Sequence, residues 1–206
     1  MADSIKYNQI LDALQELLEN RDIRSISVSE IAQKAGIGKG SIYYYFPSKD
    51  AIFDALVKRS YKKSLETAKH LAVQTEISPF TRMAMLFEAF RSSSSEFLKR
   101  EIISESESKK QKYEQAYVHQ NFLRHVISEL KPVLTEIIRQ GIEKDLLHYD
   151  YPDALAEIVL IVLTIKIDNY LLPSARQEIE GTIRGLIALL EKGTGATPGI
   201  LDFLTI

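Results

Sequence analysis

Cysteine is absent from the 206-residue chain, and so is tryptophan. Without a thiol there is no disulfide framework, no thiol catalysis and no cysteine-ligated zinc. The absence fits a reducing compartment. Glycine (nine) and proline (six) are scarce, which argues against a loop-rich all-β chain. Long hydrophobic runs are also missing. The most apolar stretch, Ala154 to Ile165, is interrupted by Glu157 and ends at Lys166. It is shorter than the roughly 20 residues of a bilayer span and reads as a buried helix. No secretory signal is visible, because the polar N-terminus enters a mixed amphipathic segment. A soluble, cytoplasmic protein is expected.

What is present is ordinary for a globular protein: 45% hydrophobic and 26% charged residues. The net charge of −2 excludes retention on nucleic acid by bulk charge. Its distribution is uneven. Residues 1–63 carry ten Lys/Arg and eight Asp/Glu, whereas the remainder carries sixteen against twenty. Between Lys34 and Lys49 stand three lysines and no acid. A local basic patch on a mildly acidic chain fits a small DNA-contact surface.

Apolar spacing predicts helices throughout. Ile10, Ala13, Leu14, Leu17 and Leu18 mark a first helix over about 5–18. Ser27 with Glu30 three residues on forms a capping box, so a second helix starts near Val28 and stops at Gly36. Gly36-Ile-Gly-Lys39 is a turn plugged by Ile37. A short third helix spans about Lys39–Tyr45 and Pro47 stops it. Ser48 caps a fourth. Further helices are expected from Pro79, over Tyr113–Ile142 with Pro132 at a kink or break, over Tyr151–Leu172, and from Pro173 to Gly193. Ser104–Lys112 reads as a loop or frayed turn, Thr194–Gly199 as a linker and Ile200–Ile206 as a short apolar tail. The fold class is all-α. No alternating strand pattern and no internal repeat survives.

Residues 28–46, two short helices about a glycine turn, form a helix-turn-helix arrangement. Its second helix would present its N-terminal half to the major groove. Lys39, Gly40 and Ser41 open that helix, and Gly40 permits close approach of backbone to DNA. Tyr43, Tyr44 and Tyr45 point in directions about 100° apart, so at least one faces solvent or a partner. Ser29 could add a hydroxyl to a phosphate contact, and Lys49 stands just beyond the helix, placed for another. The alternatives are packing for any one tyrosine and plain solvation for Lys39 and Lys49. Ile42 and Phe46, four apart, belong to the core.

The run Ile31-Ala32-x-x-Ala35-Gly36-Ile37-x-x-Gly40-Ser41-Ile42-Tyr43-x-Tyr45-Phe46-x-Ser48-Lys49-Asp50 resembles the N-terminal DNA-binding domain of the TetR-type transcriptional regulators. The resemblance covers roughly residues 5–60. It implies that Lys39, Gly40, Ser41, Tyr43, Tyr44 and Tyr45 line the DNA-facing helix. Tyr43, Tyr45 and Lys49 would mostly hold phosphates, and Ser41 and Tyr44 would lie nearest base edges. Gly38 stands where the family often has a Ser or Thr cap; glycine still serves as one. The helix has neither Arg nor Gln, so strong bidentate guanine or adenine readout is not available from it, although Lys39 could still approach a guanine. Specificity would then lean on dimerisation and DNA shape.

The resemblance further implies a helical C-terminal domain that dimerises and usually binds a small ligand. The expected division is 1–48 for DNA binding and 49–206 for regulation, with a helix at about 49–74 linking the two. The last two long helices are the candidate homodimer surface. Leu155 and Val159 on the first and the stripe Ile179, Ile183, Leu186, Ile187 and Leu190 on the second would meet their symmetry mates. Gly181 and Gly185 would allow close approach. Packing within the monomer is the alternative. A largely apolar ligand pocket could be walled by Met83, Phe87, Phe90 and Phe97, by Tyr113, Tyr117 and Phe122, and by Ile158, Val162, Ile165 and Asn169; each could equally be simple core. Ligand binding would favour a spacing of the DNA-binding heads that no longer fits a palindromic operator.

Enzyme readings fail on the motifs. Gly36-x-Gly38-x-Gly40 continues with Ser41, no strand precedes it, and Lys39 is followed by Gly40, so neither phosphate loop is met. No Gly-x-Ser-x-Gly elbow occurs. The four histidines are scattered; His119 and His125, six apart, lie on different helix faces. No catalytic residue, cofactor or metal is expected. The remaining alternative is a TetR-like DNA-binding adaptor or architectural protein that answers to a protein partner.

Overall fold

The computed structural model describes residues 2–19, 21, 23–102, 109–168 and 172–205; the side chains of 2, 3, 92–102, 109–119, 122 and 168 fall outside that description. The described residues form eight α-helices and no strand: α1 (Ala2–Leu18), α2 (Val28–Lys34), α3 (Lys39–Tyr45), α4 (Lys49–Val73), α5 (Pro79–Ile102), α6 (Lys109–Glu143), α7 (Pro152–Asp168) and α8 (Arg176–Thr194). Two short 3-10 turns, Ile23–Ser25 and Asp202–Leu204, complete them. Chain contacts divide the molecule into Met1–Tyr61 with Ser95–Asn121, and Lys62–Ser94 with Phe122–Ile206. That division falls inside α4 rather than at its start. Ile52, Phe53, Leu56, Val57 and Tyr61 of α4 are all buried, and they belong to the first unit.

Local chemistry fixes the first unit's turns. Ser27 accepts from the Glu30 amide at 3.2 Å, and Glu30 accepts from the Ser27 amide at 2.8 Å. This reciprocal pair satisfies two otherwise unpartnered donors at the start of α2. Arg21 reinforces it by donating to Glu30 at 2.6 Å. Gly36, at φ 68°, supplies the left-handed residue that ends the helix. Gly38 caps α3 through its extended backbone alone. Ser48 accepts from the Ala51 amide at 3.1 Å and caps α4. Ile10, Leu14, Ile31, Ile42 and Ile52 are fully enclosed, so the apolar spacing of all four helices meets in one core.

The expected loop at Ser104–Lys112 is helical from Lys109 onward, and 103–108 lie outside the described residues. Pro132 does not break α6, which runs through it. Ser128, whose carbonyl the proline cannot serve, is exposed to solvent. The last helix starts three residues after Pro173. Glu178 accepts from the Ala175 amide at 3.1 Å there, and Gly195 at φ 68° ends the helix.

Arg82 of α5 is wholly buried. Its Nη1 donates to the Ala72 carbonyl at 3.0 Å, the Leu71 carbonyl at 3.4 Å and Gln140 Oε1 at 2.6 Å. Those carbonyls lie in the last turn of α4, which a helix cannot satisfy by itself. The guanidinium therefore ties α4, α5 and α6 together inside this unit. Its desolvation lowers its pKa, offset in part by the Glu136 carboxylate.

Candidate nucleic-acid interface and effector cavity

The turn between α2 and α3 holds α3 with one face down and the rest exposed. Ile42 is buried and Phe46 follows it into the core, where its ring lies 4.7 Å from that of Tyr7. Ser29, Lys39, Gly40 and Ser41 are exposed. Tyr43 and Tyr44 are 51% and 77% exposed. Tyr45 is half-buried, and its ring meets Tyr44 edge-on at 5.0 Å. The three successive tyrosines thus divide as their angular spacing predicts. A Cβ at Gly40 would meet nothing within 4 Å. Nothing in the described packing needs glycine there, although it costs up to about 1 kcal/mol of helix stability.

The lysines of this segment do not behave alike. Lys34 pairs with Glu16 at 2.7 Å, which raises its pKa. Lys49, expected to face a phosphate, is turned inward. Its ammonium donates to the carbonyls of Ile23 at 2.7 Å, Ile26 at 2.9 Å and Arg24 at 3.4 Å. An ammonium has three protons to donate, and these three carbonyls take them. Lys49 therefore secures the 3-10 turn against the start of α4 instead of standing free for DNA. Of the three lysines, Lys39 alone has no partner among the described residues.

The second unit contains an apolar cavity of about 40 Å³. Phe80, Met83 and Phe87 of α5 line it, with Leu134 and Ile138 of α6 and Leu147 beyond. Leu155 and Val159 of α7, Leu190 and Thr194 of α8, and Leu201, Phe203 and Leu204 after α8 close it. Of the expected pocket walls, Met83 and Phe87 line this cavity. Phe90 is buried but does not line the cavity. Phe97, Tyr113, Tyr117, Phe122 and Asn169 lie outside the described side chains.

The two faces of α7 are the reverse of the expected ones. Leu155, Val159 and Leu163 point into the unit, whereas Ile158 is 48% and Ile161 39% exposed. Val162 and Ile165 are half-buried and away from the cavity. Leu155 and Val159 therefore line the cavity, and Ile158 does not. The helix is apolar nearly all round, so its sequence does not set its rotation. On α8, Ile183, Leu186 and Ile187 are buried within the monomer, Leu190 lines the cavity and Ile179 is half-buried. These side chains already have intramolecular neighbours. Gly181 and Gly185 are exposed with open space at their Cβ positions, and Leu189 beside them is 72% exposed.

The eight lining residues from Leu147 to Leu204, none of them among the expected walls, come from a loop, from two neighbouring helices and from the tail. Only the tail carried a signal, its cluster of Ile200, Leu201, Phe203 and Leu204. Among the described residues no group of three His, Asp or Glu side chains could hold a metal ion. No helix among them is long and apolar enough to cross a membrane.

Two family profiles match the chain. Residues 10–56 match the bacterial regulatory proteins of the tetR family, and residues 101–186 match the tetracyclin repressor-like C-terminal domain. The chain belongs to the TetR family. This is a family of regulatory proteins, not of enzymes. The nucleoid occlusion factor SlmA of Pectobacterium carotovorum is 33% identical over 88 residues, 41% of this chain and 44% of that protein. The chain thus spans less than half the length of the first curated relatives it matches. A TetR-family regulator from Mesorhizobium loti superimposes with a TM-score of 0.62 at 15% identity, covering 94% of this chain and 98% of that one. The structure of RolR with its ligand resorcinol gives 0.57 at 17%, covering 99% and 96%. At such identities the solved structures establish the TetR fold alone.

Proposed function

We propose that this chain is a sequence-specific DNA-binding transcriptional regulator, cytoplasmic and homodimeric. In this reading it is a repressor released from a palindromic operator by a small apolar or aromatic ligand. Residues 1–48 serve DNA binding and 49–206 regulation and dimerisation, with α4 continuous between them. The observation that carries the reading is the exposed face of α3. Lys39, Gly40, Ser41, Tyr43 and Tyr44 lie open there, and Gly40 has no packing role. Ser41 and Tyr44 read base edges, Tyr43 and the half-buried Tyr45 hold phosphates, and Ser29 adds a hydroxyl from α2. Lys49 supports this face from within. The apolar cavity is the candidate effector site.

Dimerisation is assigned to exposed apolar side chains, revised from the buried stripe. Ile158 and Ile161 of α7, and Leu189 with Gly181 and Gly185 of α8, supply them. Two specific observations favour the second reading, an adaptor controlled by a protein partner. The cavity is small as it stands, and SlmA carries the name of a nucleoid occlusion factor.

Selection of bound duplexes from a random DNA library at fixed salt tests the reading, with Tyr44→Ala as control. An enriched palindrome that the variant loses or relaxes supports a sequence-specific dimer. Binding without enrichment, fading as salt rises, reflects phosphate contacts alone and puts the adaptor ahead.

A further inference from the structure

The chain's own segment after α8 forms part of the wall of the second unit's cavity. Gly195 turns that segment out of the helix, and Gly199, at φ 85°, turns it back. The 3-10 turn Asp202–Leu204 then directs Leu201, Phe203 and Leu204 at the cavity. Leu201 and Leu204 are each 6% exposed. The ring of Phe203 lies 6.3 Å from that of Phe87 on α5. One side chain clasps the segment. Glu191 Oε1 accepts from the Gly199 amide at 2.8 Å and from the Leu201 amide at 3.3 Å.

Resting on the effector reading above, we infer that segment 199–205 is a self-occupying plug of the effector site, latched by Glu191, and that a neutral apolar ligand enters by displacing it. At about 40 Å³ the cavity has room for a few waters. Sites for drug-sized ligands run to roughly 300 Å³ and more. A wall must therefore withdraw, and the walls differ in what holds them. The helical walls are fixed by their internal hydrogen-bond ladders and by buried stripes on more than one face. The plug has four short turn bonds, Ile200 to Thr197, Asp202 to Gly199, Leu204 to Leu201 and Thr205 to Asp202. Beyond those it has the Glu191 clasp and its three inserted side chains. Few apolar contacts and exposed backbone bonds mark the segment that opens first.

The lining sets the ligand class. Thr194 is the one lining residue with a polar side chain, and its hydroxyl already donates to the Leu190 carbonyl at 2.7 Å. A carboxylate or ammonium would be buried there without a partner, at high cost. The ligand is thus uncharged and hydrocarbon-like or aromatic. It must cover at least the apolar surface that Leu201, Phe203 and Leu204 leave behind. Its apparent affinity is reduced by the fraction of molecules whose plug is closed.

The test uses the full chain and the neutral fluorophore N-phenyl-1-naphthylamine. Glu191→Ala removes the clasp at a half-exposed position, whereas Glu191→Gln keeps an acceptor oxygen there. Loss of two amide bonds to a carboxylate raises the open fraction, so the alanine variant should bind the fluorophore about tenfold more tightly. The glutamine variant should stay near the parent. In the parent protein, saturation with the fluorophore should strip hydrogen-exchange protection from amides 199–205, a readout that needs no variant. Equal affinity for all three proteins, with unchanged protection at 199–205, would overturn the plug and leave the effector site standing. No fluorophore binding by any of them, with helicity intact, would overturn both.

Discussion

The ammonium of Lys49 lies 2.7 Å from the carbonyl oxygen of Ile23, twenty-six positions earlier in the chain. A lysine at the first position of a helix faces the positive end of the dipole. Here the carbonyls of Ile23, Arg24 and Ile26 offset that disadvantage. Lys49 and Lys39 should therefore fail in different ways. Lys49→Met should lower stability by about 1–3 kcal/mol through the orphaned carbonyls. It should leave the salt dependence of DNA binding unchanged once the protein is folded. Lys39→Ala should leave stability alone and reduce the slope of log affinity against log salt by about 1. Thermal melts beside salt titrations of DNA binding check both.

Glu30 titrates far from the ordinary carboxylate range. Hydrogen bonding from Arg21, with the backbone and side chain of Ser27, brings its pKa down from 4.5 to about 2. The ionised form is thus favoured by folding. Its contribution is fully present above about pH 4.5 and is lost as the pH falls toward 2. The melting temperature of the parent should exceed that of Glu30→Gln at pH 6. The gap should narrow steadily between pH 4.5 and 2, where the parent's own carboxyl becomes neutral. A gap that is the same at pH 6 and pH 2 would show that Glu30 contributes no charge to the capping box.

Much of the first unit was legible because its signals are local. Ser27 and Glu30, Gly36, Gly38 and Ser48 act within four residues of themselves, and each does what its type and spacing predict. Ile42 and Phe46 point inward, as a four-residue spacing requires. The inward bonds of Lys49 were not legible because its partners are the carbonyls of Ile23, Arg24 and Ile26, which only the tertiary fold brings near. The rotation of α7 was not legible because Ile158, Val159, Ile161 and Val162 give all faces similar hydrophobicity. Segment 199–205 looked like a linker and a tail because a plug has no period. Its burial depends on a hole made by α5 to α8.

Arg82 carries a prediction about the second unit. Its guanidinium is enclosed and holds the last carbonyls of α4 together with Gln140. Gln140 also donates to the Ala72 carbonyl at 3.2 Å and to Glu136 at 2.8 Å. Arg82→Ala would leave a cavity and remove the shared donor from two carbonyls and an amide oxygen. Loss of about 3 kcal/mol or more is expected. Gln140→Leu, which keeps Arg82 and its carbonyls, should cost less. Denaturant titration of both variants checks the order. A smaller loss for Arg82→Ala than for Gln140→Leu would show that the guanidinium is not the tie.

The choice of dimer surface is decided by two isoleucines with opposite surroundings. Ile187 of α8 is 6% exposed, and Ile158 of α7 is 48% exposed. A carboxylate at position 187 would be buried without a partner, so Ile187→Glu should cost more than about 4 kcal/mol and unfold the chain. Its loss of dimer would then say nothing about an interface. Ile158→Glu places the charge in water in the monomer, where surface substitutions usually fall within about 0.5 kcal/mol. In a dimer packed through the outward face of α7 the same charge is buried twice, once from each protomer. Ile158→Glu should therefore yield a folded monomer, with helicity unchanged by circular dichroism and half the mass by light scattering. DNA affinity should fall with it, because a monomer engages one half-site and loses the gain from linked binding. A folded Ile158→Glu protein that stays dimeric would remove the outward face of α7 from the interface. The exposed Leu189 and the open positions at Gly181 and Gly185 on α8 would then be the surface to substitute next.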